Sequence, residues 1–216
     1  METILILAHT EPDGALAKPA LECLTAALAL GGPLTVGLVG ARIEAAAGQI
    51  ASCGAARFLA VAGEAFAQPR YATDAAAAEA LCRAAGAAIV VAPSTSRWAR
   101  ALPGVAYRLG GRVDTHATSL AVEGGAPAVT RWFYRQRMEA VLSREQRPWV
   151  VLLDSGCCAA WSGPAGIAKV ETVAVEAPQT LTTVSGVRAP KAASTNLLFR
   201  VCQRVRPNLQ TGRERS

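Results

Sequence analysis

The stretch that most constrains the fold of this chain is residues 87–121, because it contains a complete strand–helix–strand unit. Its first strand, residues 88–92, holds three consecutive β-branched residues without polar alternation, a pattern typical of a strand buried on both faces of a parallel sheet. Pro93 ends this strand, and a hydroxyl side chain within residues 94–96 can cap the helix that follows. Gly110-Gly111 ends the helix, since glycine adopts the left-handed conformation without steric cost. The stretch therefore predicts a βαβ unit.

The sequence before this unit repeats the same alternation of strand and helix. Apolar runs predict strands over Thr3–Ala8, Leu34–Val39 and Arg57–Val61. The helical spacing of apolar residues predicts helices over Leu16–Leu30, over Arg42–Ser52 and from Thr73 or Asp74 to Ala85. Alternation this regular predicts an α/β fold with a doubly wound, mostly parallel sheet.

The pattern changes after residue 115, where short strand-like runs follow one another with no room for a helix. These runs are Thr115–Val122, Ala128–Tyr134, Met138–Leu142 and Trp149–Leu153. Glu123-Gly124-Gly125 is a hairpin signal, so we expect this part to be antiparallel and to extend or flank the parallel sheet. Lys169–Val175 alternates polar and apolar residues and predicts a half-exposed edge strand, and Thr180–Val187 is a candidate for one more strand.

The net charge of +6 first suggests a nucleic-acid partner, but much of the excess lies in the C-terminal tail. The segment Arg188–Arg206 carries five basic residues and no acidic one, and Phe199 is its only aromatic residue. A surface that binds single-stranded nucleic acid needs aromatic side chains on which bases stack. We therefore expect no nucleic-acid partner.

Cysteine usage indicates the compartment. None of the six cysteines forms a CxxC pair and no signal peptide is recognisable, so we expect reduced thiols in a cytoplasmic protein. The adjacent Cys157 and Cys158 are a candidate redox pair, although packed or exposed thiols are the commoner outcome. Every apolar run is interrupted by Gly, Pro or charge before it reaches about 18 residues, so we expect no membrane span.

Familiar catalytic motifs do not occur in the sequence. It contains no GxSxG elbow, no GKS/T phosphate loop and no GxGxxG after the first strand, and its two histidines, His9 and His116, have no neighbour at metal-ligand spacing. Ser94–Arg97 lies where a strand leads into a helix, so free N–H groups and Arg97 would attract an anion there. The simpler interpretation is a capped helix with a solvated arginine. Asp154-Ser155-Gly156 likewise suggests a polar ligand site or a simple turn.

Several short motifs nevertheless occur in an order that points to a family. Asp13–Leu16 and Leu21–Ala27 read DGAL and LECLTAA, and Ser96–Gly110 reads SRWARALPGVAYRLG. Asp114–Leu120 and Thr130–Tyr134 follow as DTHATSL and TRWFY. In this order and spacing they resemble the signatures DGxL…ELLTAA, GRDLAPRLAARLG, SDVTxL and TRPxYAG of the α subunit of electron transfer flavoproteins. The likeness covers roughly residues 3–175.

This resemblance implies an organisation for the whole chain. Residues 3–177 would form the N-terminal α/β domain of the α-subunit type, three-layered and similar to adenine nucleotide hydrolases. Residues 178–216 would be a basic C-terminal tail, a remnant of the start of the FAD domain. Ser185, Gly186 and Arg188 lie in TVSGVR, which resembles the VVSGGRG start of that domain, and the resemblance implies that they contact FAD phosphate.

The resemblance also implies a function. The chain would be an electron carrier subunit rather than a catalyst, shuttling electrons from a flavin dehydrogenase as a heterodimer with a β-type subunit. Its cofactor would be FAD. Pairing of the chain with itself is left open.

Departures from the family pattern bear on the cofactor. Only 28 residues follow Arg188, too few for the βαβ layers that enclose a flavin. Val187 stands where the family has a glycine, Trp98 stands at the acidic position of GRDLAP, and residues 154–158 replace the RPGAF-like segment and its arginine. We therefore expect the chain to lack a complete FAD site of its own.

Two functions of other classes remain as alternatives. One is an adenine-nucleotide-binding module that uses residues 8–13 and 94–97 around the nucleotide, although the sequence lacks a Gly-rich phosphate loop. The other is an assembly or regulatory α/β domain without a ligand.

Overall fold

A computed structural model describes residues 2–179 and 182–186 of the chain. The strands are β1 Ile4–His9, β2 Leu34–Gly40, β3 Arg57–Ala62, β4 Ile89–Pro93, β5 Arg112–Glu123, β6 Ala126–Phe133, β7 Met138–Leu142, β8 Trp149–Leu153 and β9 Val170–Thr172. The helices are α1 Lys18–Ala29, α2 Glu44–Gln49, α3 Tyr71–Ala85 and α4 Ser96–Arg108, and a 3-10 turn spans Glu64–Phe66. None of the helices in this part of the chain is long and apolar enough to cross a membrane.

The nine strands form one sheet in the order β7-β6-β5-β8-β4-β1-β2-β3-β9. The pairs from β5 through β8, β4, β1, β2 and β3 to β9 are all parallel. The pairs β5–β6 and β6–β7 are antiparallel and extend the sheet on one side. The prediction of an α/β fold with a mostly parallel sheet and an antiparallel extension is confirmed.

Two apolar cores lie on opposite faces of this sheet. Ile4, Ile6 and Ala8 of β1 face α1 and α2, whereas Leu5 and Leu7 of the same strand face α3 and α4. Side chains of successive strand residues point to opposite faces, so a strand with no polar alternation supplies both cores. The runs of apolar residues in the sequence therefore mark the centre of a three-layer molecule.

The position of β8 differs from the sequence-based expectation. Trp149–Leu153 was expected in the antiparallel part, but β8 inserts between β4 and β5 and is parallel to both. All five of its residues are buried, which is the character of a central parallel strand. The strands β4 and β5 of the predicted βαβ unit are consequently second neighbours in the sheet.

The start of α3 also differs from the expectation. The helix begins at Tyr71, after Arg70, rather than at a cap supplied by Thr73 or Asp74. Asp74 lies within the first turn and is fully buried, because its carboxylate pairs with an arginine from the next helix. The Asp74 side chain therefore makes a tertiary contact and does not cap its own helix.

The chain after β8 crosses the outer surface of α1 and α2 without regular structure. Trp161 N–H donates to the Leu21 carbonyl at 3.1 Å, and Gly166 N–H donates to the Gly48 carbonyl at 2.9 Å. The crossing ends in β9, which pairs with β3, so the predicted edge strand near Lys169–Val175 is present in shorter form. Residues 182–186 of the candidate strand Thr180–Val187 carry no strand, and its other residues lie outside the described part.

Contacts place a boundary between two units of the chain at Thr183 and Val184. The predicted division into an α/β domain over residues 3–177 and a tail over 178–216 stays a prediction.

Candidate functional site

The crevice at the carboxyl ends of β1 and β4 is the place where this topology favours a ligand. The chain passes from β1 to β2 on one side, and β4 lies on the other side of β1, so the direction of winding reverses between them. Open α/β sheets bind ligands outside the carboxyl ends of their strands at such a reversal. His9 ends β1 here, and Thr95 follows β4.

His9 is held as a neutral side chain in this crevice. Its side chain is 15% exposed, and Nε2 lies 3.4 Å from Thr95 Oγ1 while Nδ1 lies 4.0 Å from the Glu11 carboxylate. The ring centroid is 6.1 Å from that of Trp98. Burial, together with the nearby positive charge of Arg97, lowers the pKa of His9 to about 4. The imidazole can therefore exchange hydrogen bonds at neutral pH but carries no charge with which to hold a phosphate.

Arg97 is not the anion-binding or solvated arginine that the sequence suggested. Its guanidinium lies 2.7 Å from the Asp74 carboxylate, and Nε donates to Asp74 Oδ1 at 2.8 Å. The two remaining nitrogens donate to the carbonyls of Phe66 and Ala67 at 2.5 and 3.4 Å. With these donors engaged and the side chain 6% exposed, Arg97 fastens α4 to α3 and to the 3-10 turn.

The start of α4 is capped as the sequence predicted. Thr95 is the residue before the helix, and its Oγ1 accepts a hydrogen bond from Trp98 N–H at 3.4 Å. The Trp98 side chain is fully buried, and its indole N–H has no partner among the described residues. The crevice thus combines a capped helix end with a neutral histidine, which suits a polar neutral group better than an anion.

The turn after β8 is fastened to α1. Glu22 is 1% exposed, and its Oε2 accepts hydrogen bonds from Ser155 Oγ at 3.1 Å and from Gly156 N–H at 2.8 Å. Lys18 Nζ lies 3.6 Å from the other carboxylate oxygen, and the Cys158 thiol donates to the Glu22 carbonyl at 2.9 Å. Residues 154–156 therefore form a structural turn, the simpler of the two interpretations that the sequence allowed.

Cys23 and the adjacent pair Cys157 and Cys158 lie near this turn and are thiols. Burial raises the pKa of each of the three, and the Glu22 carboxylate raises the pKa of each in the same direction. A thiolate is the reactive form of cysteine, so these surroundings disfavour nucleophilic chemistry. Within the described residues, no group of three or more His, Cys, Asp or Glu side chains is arranged to hold a metal ion.

Sequence reasoning missed a buried carboxylate on β5. Asp114 is 2% exposed and accepts two hydrogen bonds from Arg144 and one from the indole N–H of Trp149, all at 2.9 Å. Burial would raise the pKa of Asp114, but the hydrogen bonds from Arg144 and Trp149 outweigh it and hold the pKa below its usual range. An aspartate near the start of β5 was the available signal. Its partners come from the loop before β8 and from the first residue of β8, which only the tertiary structure brings near.

The residues for which the resemblance implied FAD contacts are described in part. Ser185 and Gly186 are exposed and lie in no helix or strand, and Arg188 lies outside the described residues. The FAD contacts that the resemblance implies for these three residues therefore stay a prediction.

A cavity of about 360 Å³ lies at the amino ends of β1 and β4, and its charge does not favour FAD. Ile4, Leu30, Ile89 and Val122 contribute to its walls, and its charged member is Glu2. The Glu2 carboxylate pairs with Arg147 and would repel a pyrophosphate. The expectation that the chain lacks a complete FAD site of its own therefore stays a prediction.

Comparison with known proteins adds a family. The model of a family described as electron transfer flavoprotein domain matches residues 4–180, a span that includes the nine strands and four helices of the described residues. No match was found among curated proteins.

Proposed function

This chain belongs to the electron transfer flavoprotein domain family, and on that premise we propose that it is an α-type subunit which carries electrons together with a β-type subunit. Membership of the family implies a role in an electron transfer flavoprotein complex, as an electron carrier rather than a catalyst. The match over residues 4–180 is the observation that carries the family-level part of the proposal.

The assignment to the α type is supported by motifs. DGAL at residues 13–16 and SRWARALPGVAYRLG at residues 96–110 resemble α-subunit signatures, and TVSGVR at 183–188 resembles the start of an α-subunit FAD domain. The electron donor in this proposal is a flavin dehydrogenase. The unpaired thiols of the described residues agree with a reducing, cytoplasmic setting.

The cofactor in this proposal is FAD, bound by the complex rather than by this chain alone. FAD supplies the redox chemistry when it is bound, and the protein supplies donors for its pyrophosphate. Ser185, Gly186 and Arg188 are the phosphate contacts that we propose for this chain. A partner subunit then has to supply the remaining donors and enclose the ring.

Co-expression with a β-type electron transfer flavoprotein subunit tests this proposal. We expect a one-to-one complex to co-purify on a tag carried by this chain, with bound flavin. Arg188→Ala is expected to lower the flavin content of the complex, and Arg213→Ala is the control. A chain that purifies with neither partner nor flavin contradicts the proposal and favours the ligand-free assembly domain. A melting temperature that rises with AMP instead supports the nucleotide-binding alternative.

A further inference from the structure

The hairpin β6–β7 carries an unusual share of the exposed apolar surface. Four of the eight large hydrophobic side chains exposed in the described part of the chain lie on it. They are Trp132, Tyr134, Met138 and Val141, which are between 42% and 74% exposed. With Arg135 and Arg137 of the connecting turn they define what we call the hairpin surface. Aromatic residues, methionine and arginine are the residue types enriched in protein interfaces.

None of the described helices makes substantial contact with the hairpin β6–β7. Among the described residues, the substantial helix contacts of the sheet fall on β1 to β5 and β8, so β6 and β7 contact mainly their neighbouring strands. Val129 of β6 is buried in the core, but Trp132 and Val141 are exposed on one face of the hairpin and Met138 is exposed on the other. Exposed apolar side chains at the edge of a sheet are typical of a site that a partner covers.

The two edges of the sheet are protected to very different degrees. The β9 edge is three residues long, and its Glu171 pairs with Arg57 at 2.8 Å. The β7 edge reads MEAVL, with one charged residue and no proline or lysine. Short strands, charges and proline are the usual devices that prevent pairing at an edge. Strand β7 lacks most of them and is suited to accept a further strand.

Charge identifies the occupant of this edge. The span 126–142 contains three arginines and a single acidic residue, Glu139. Arg131 is partly neutralised by Asp114 at 3.5 Å, whereas neither Arg135 nor Arg137 has a carboxylate of the described residues within ion-pair distance. The hairpin surface is therefore positively charged.

Two occupants from within this protein fit that charge poorly. The tail segment Arg188–Arg206 is itself basic, with five positive residues and no acidic one. A second copy paired along β7 would bring two hairpins of net positive charge together. Juxtaposed like charges oppose association. An acidic partner is the complementary occupant.

We propose that the hairpin surface is the docking site for an extended, acidic segment of the partner subunit, which pairs with β7 as a tenth strand of the sheet. This inference rests on the proposed function, because that function supplies the partner. Backbone hydrogen bonds along β7 provide affinity, and acidic side chains opposite Arg135 and Arg137 provide specificity. Apolar side chains of the same segment cover Met138 and Val141.

The test is the affinity of the full-length chain for the co-expressed β-type subunit, measured after the two are separated and recombined. Arg135→Glu with Arg137→Glu is expected to raise the dissociation constant at least tenfold and to remove most of its salt dependence. Val141→Lys is expected to raise the dissociation constant by a similar factor, since a lysine on an edge strand opposes pairing. Amide hydrogen exchange over Met138–Leu142 is expected to slow in the complex.

A matched control makes the same change of charge at two positions away from the hairpin surface. Arg100 and Lys169 are both exposed and lie on α4 and beside β9, so Arg100→Glu with Lys169→Glu is expected to alter the dissociation constant less than threefold. Unchanged circular dichroism and melting temperature establish that each variant is folded.

Each other outcome overturns a specific statement. If the wild-type chain forms no complex, the proposed function fails and this inference fails with it. If the complex forms and the variant with both Arg135→Glu and Arg137→Glu binds as tightly as the wild type, this inference alone is wrong. If the chain by itself forms a dimer that the same variant dissociates, the occupant is a second copy and the acidic partner is overturned.

Discussion

The ion pair between Asp74 and Arg97 is the residue-scale contact that determines what the crevice at β1 and β4 can bind. Both side chains are almost fully buried, and the arginine donates to two backbone carbonyls as well. A buried pair of this kind adds modest net stability, but removing one partner leaves an uncompensated charge. It therefore fixes the positions of α3 and α4 relative to each other.

We predict that Arg97→Met lowers the free energy of unfolding by about 3 to 5 kcal/mol, because it leaves the Asp74 carboxylate buried without a partner. Denaturant unfolding measures this value. The double variant with Asp74→Asn is expected to cost less than the sum of the single changes, by about 2 kcal/mol. Additive costs would contradict the contact as described.

The pKa of His9 predicts a pH-dependent loss of stability. Its folded-state pKa is about 4, below the ordinary value of 6.5, so the unfolded chain binds the proton more readily. The contribution of His9 is fully present above pH 6.5 and is lost as the pH falls through 4, by about 3 kcal/mol in total. Urea unfolding between pH 7 and 4 measures it. His9→Asn should flatten the curve in this range, and an unchanged slope would refute the assignment.

At the residue scale, the sequence predicted the helix cap at Thr95 but not the buried ion pair of Arg97. Thr95 was predictable because an N-cap depends on residues within one turn of it. The role of Arg97 depends on Asp74 and on the turn at Phe66, which lie 23 and 31 positions away in the sequence. The local sequence Ser94–Arg97 does not indicate such distant contacts, so Arg97 was expected to face solvent or an anion.

At the scale of elements, the sequence predicted which segments form strands but not the place of every strand in the sheet. The apolar run Trp149–Leu153 was predicted as a strand, and its complete burial is compatible with the centre of a sheet. Its parallel insertion between β4 and β5 requires the chain to pass from the hairpin back to the amino end of the sheet. The loops between these strand-like runs are short, so antiparallel neighbours were expected and this return path was not predicted.

Two adjacent glycines join α4 to β5 and are predicted to resist substitution for different reasons. A Cβ at Gly111 would lie 2.1 Å from the Pro148 carbonyl oxygen, whereas a Cβ at Gly110 would meet nothing within 4 Å. Gly110 has a φ of +70°, which costs an alanine about 1 kcal/mol. We expect Gly111→Ala to cost more, about 3 kcal/mol, because backbone must move. Thermal unfolding of both variants measures the difference, and equal costs would contradict the close approach of this loop to Gly111.

At the scale of the whole molecule, the sequence predicted the fold and the family, but it did not predict a complete cofactor site. The alternation of strand and helix predicted the layered domain, and the ordered motifs predicted the family that matches residues 4–180. The proposed contacts Ser185, Gly186 and Arg188 lie in or beyond an exposed segment without regular structure. In the proposed complex, a site that two chains complete would leave only part of its signature in either sequence.

The flavin content per chain, read from the visible absorbance of protein purified with and without a β-type subunit, tests the central claim most directly. We predict close to one FAD for each one-to-one complex and almost none for the chain expressed by itself. A lone chain that retains stoichiometric FAD through gel filtration would contradict the account, as would a stable complex that remains colourless when FAD is supplied.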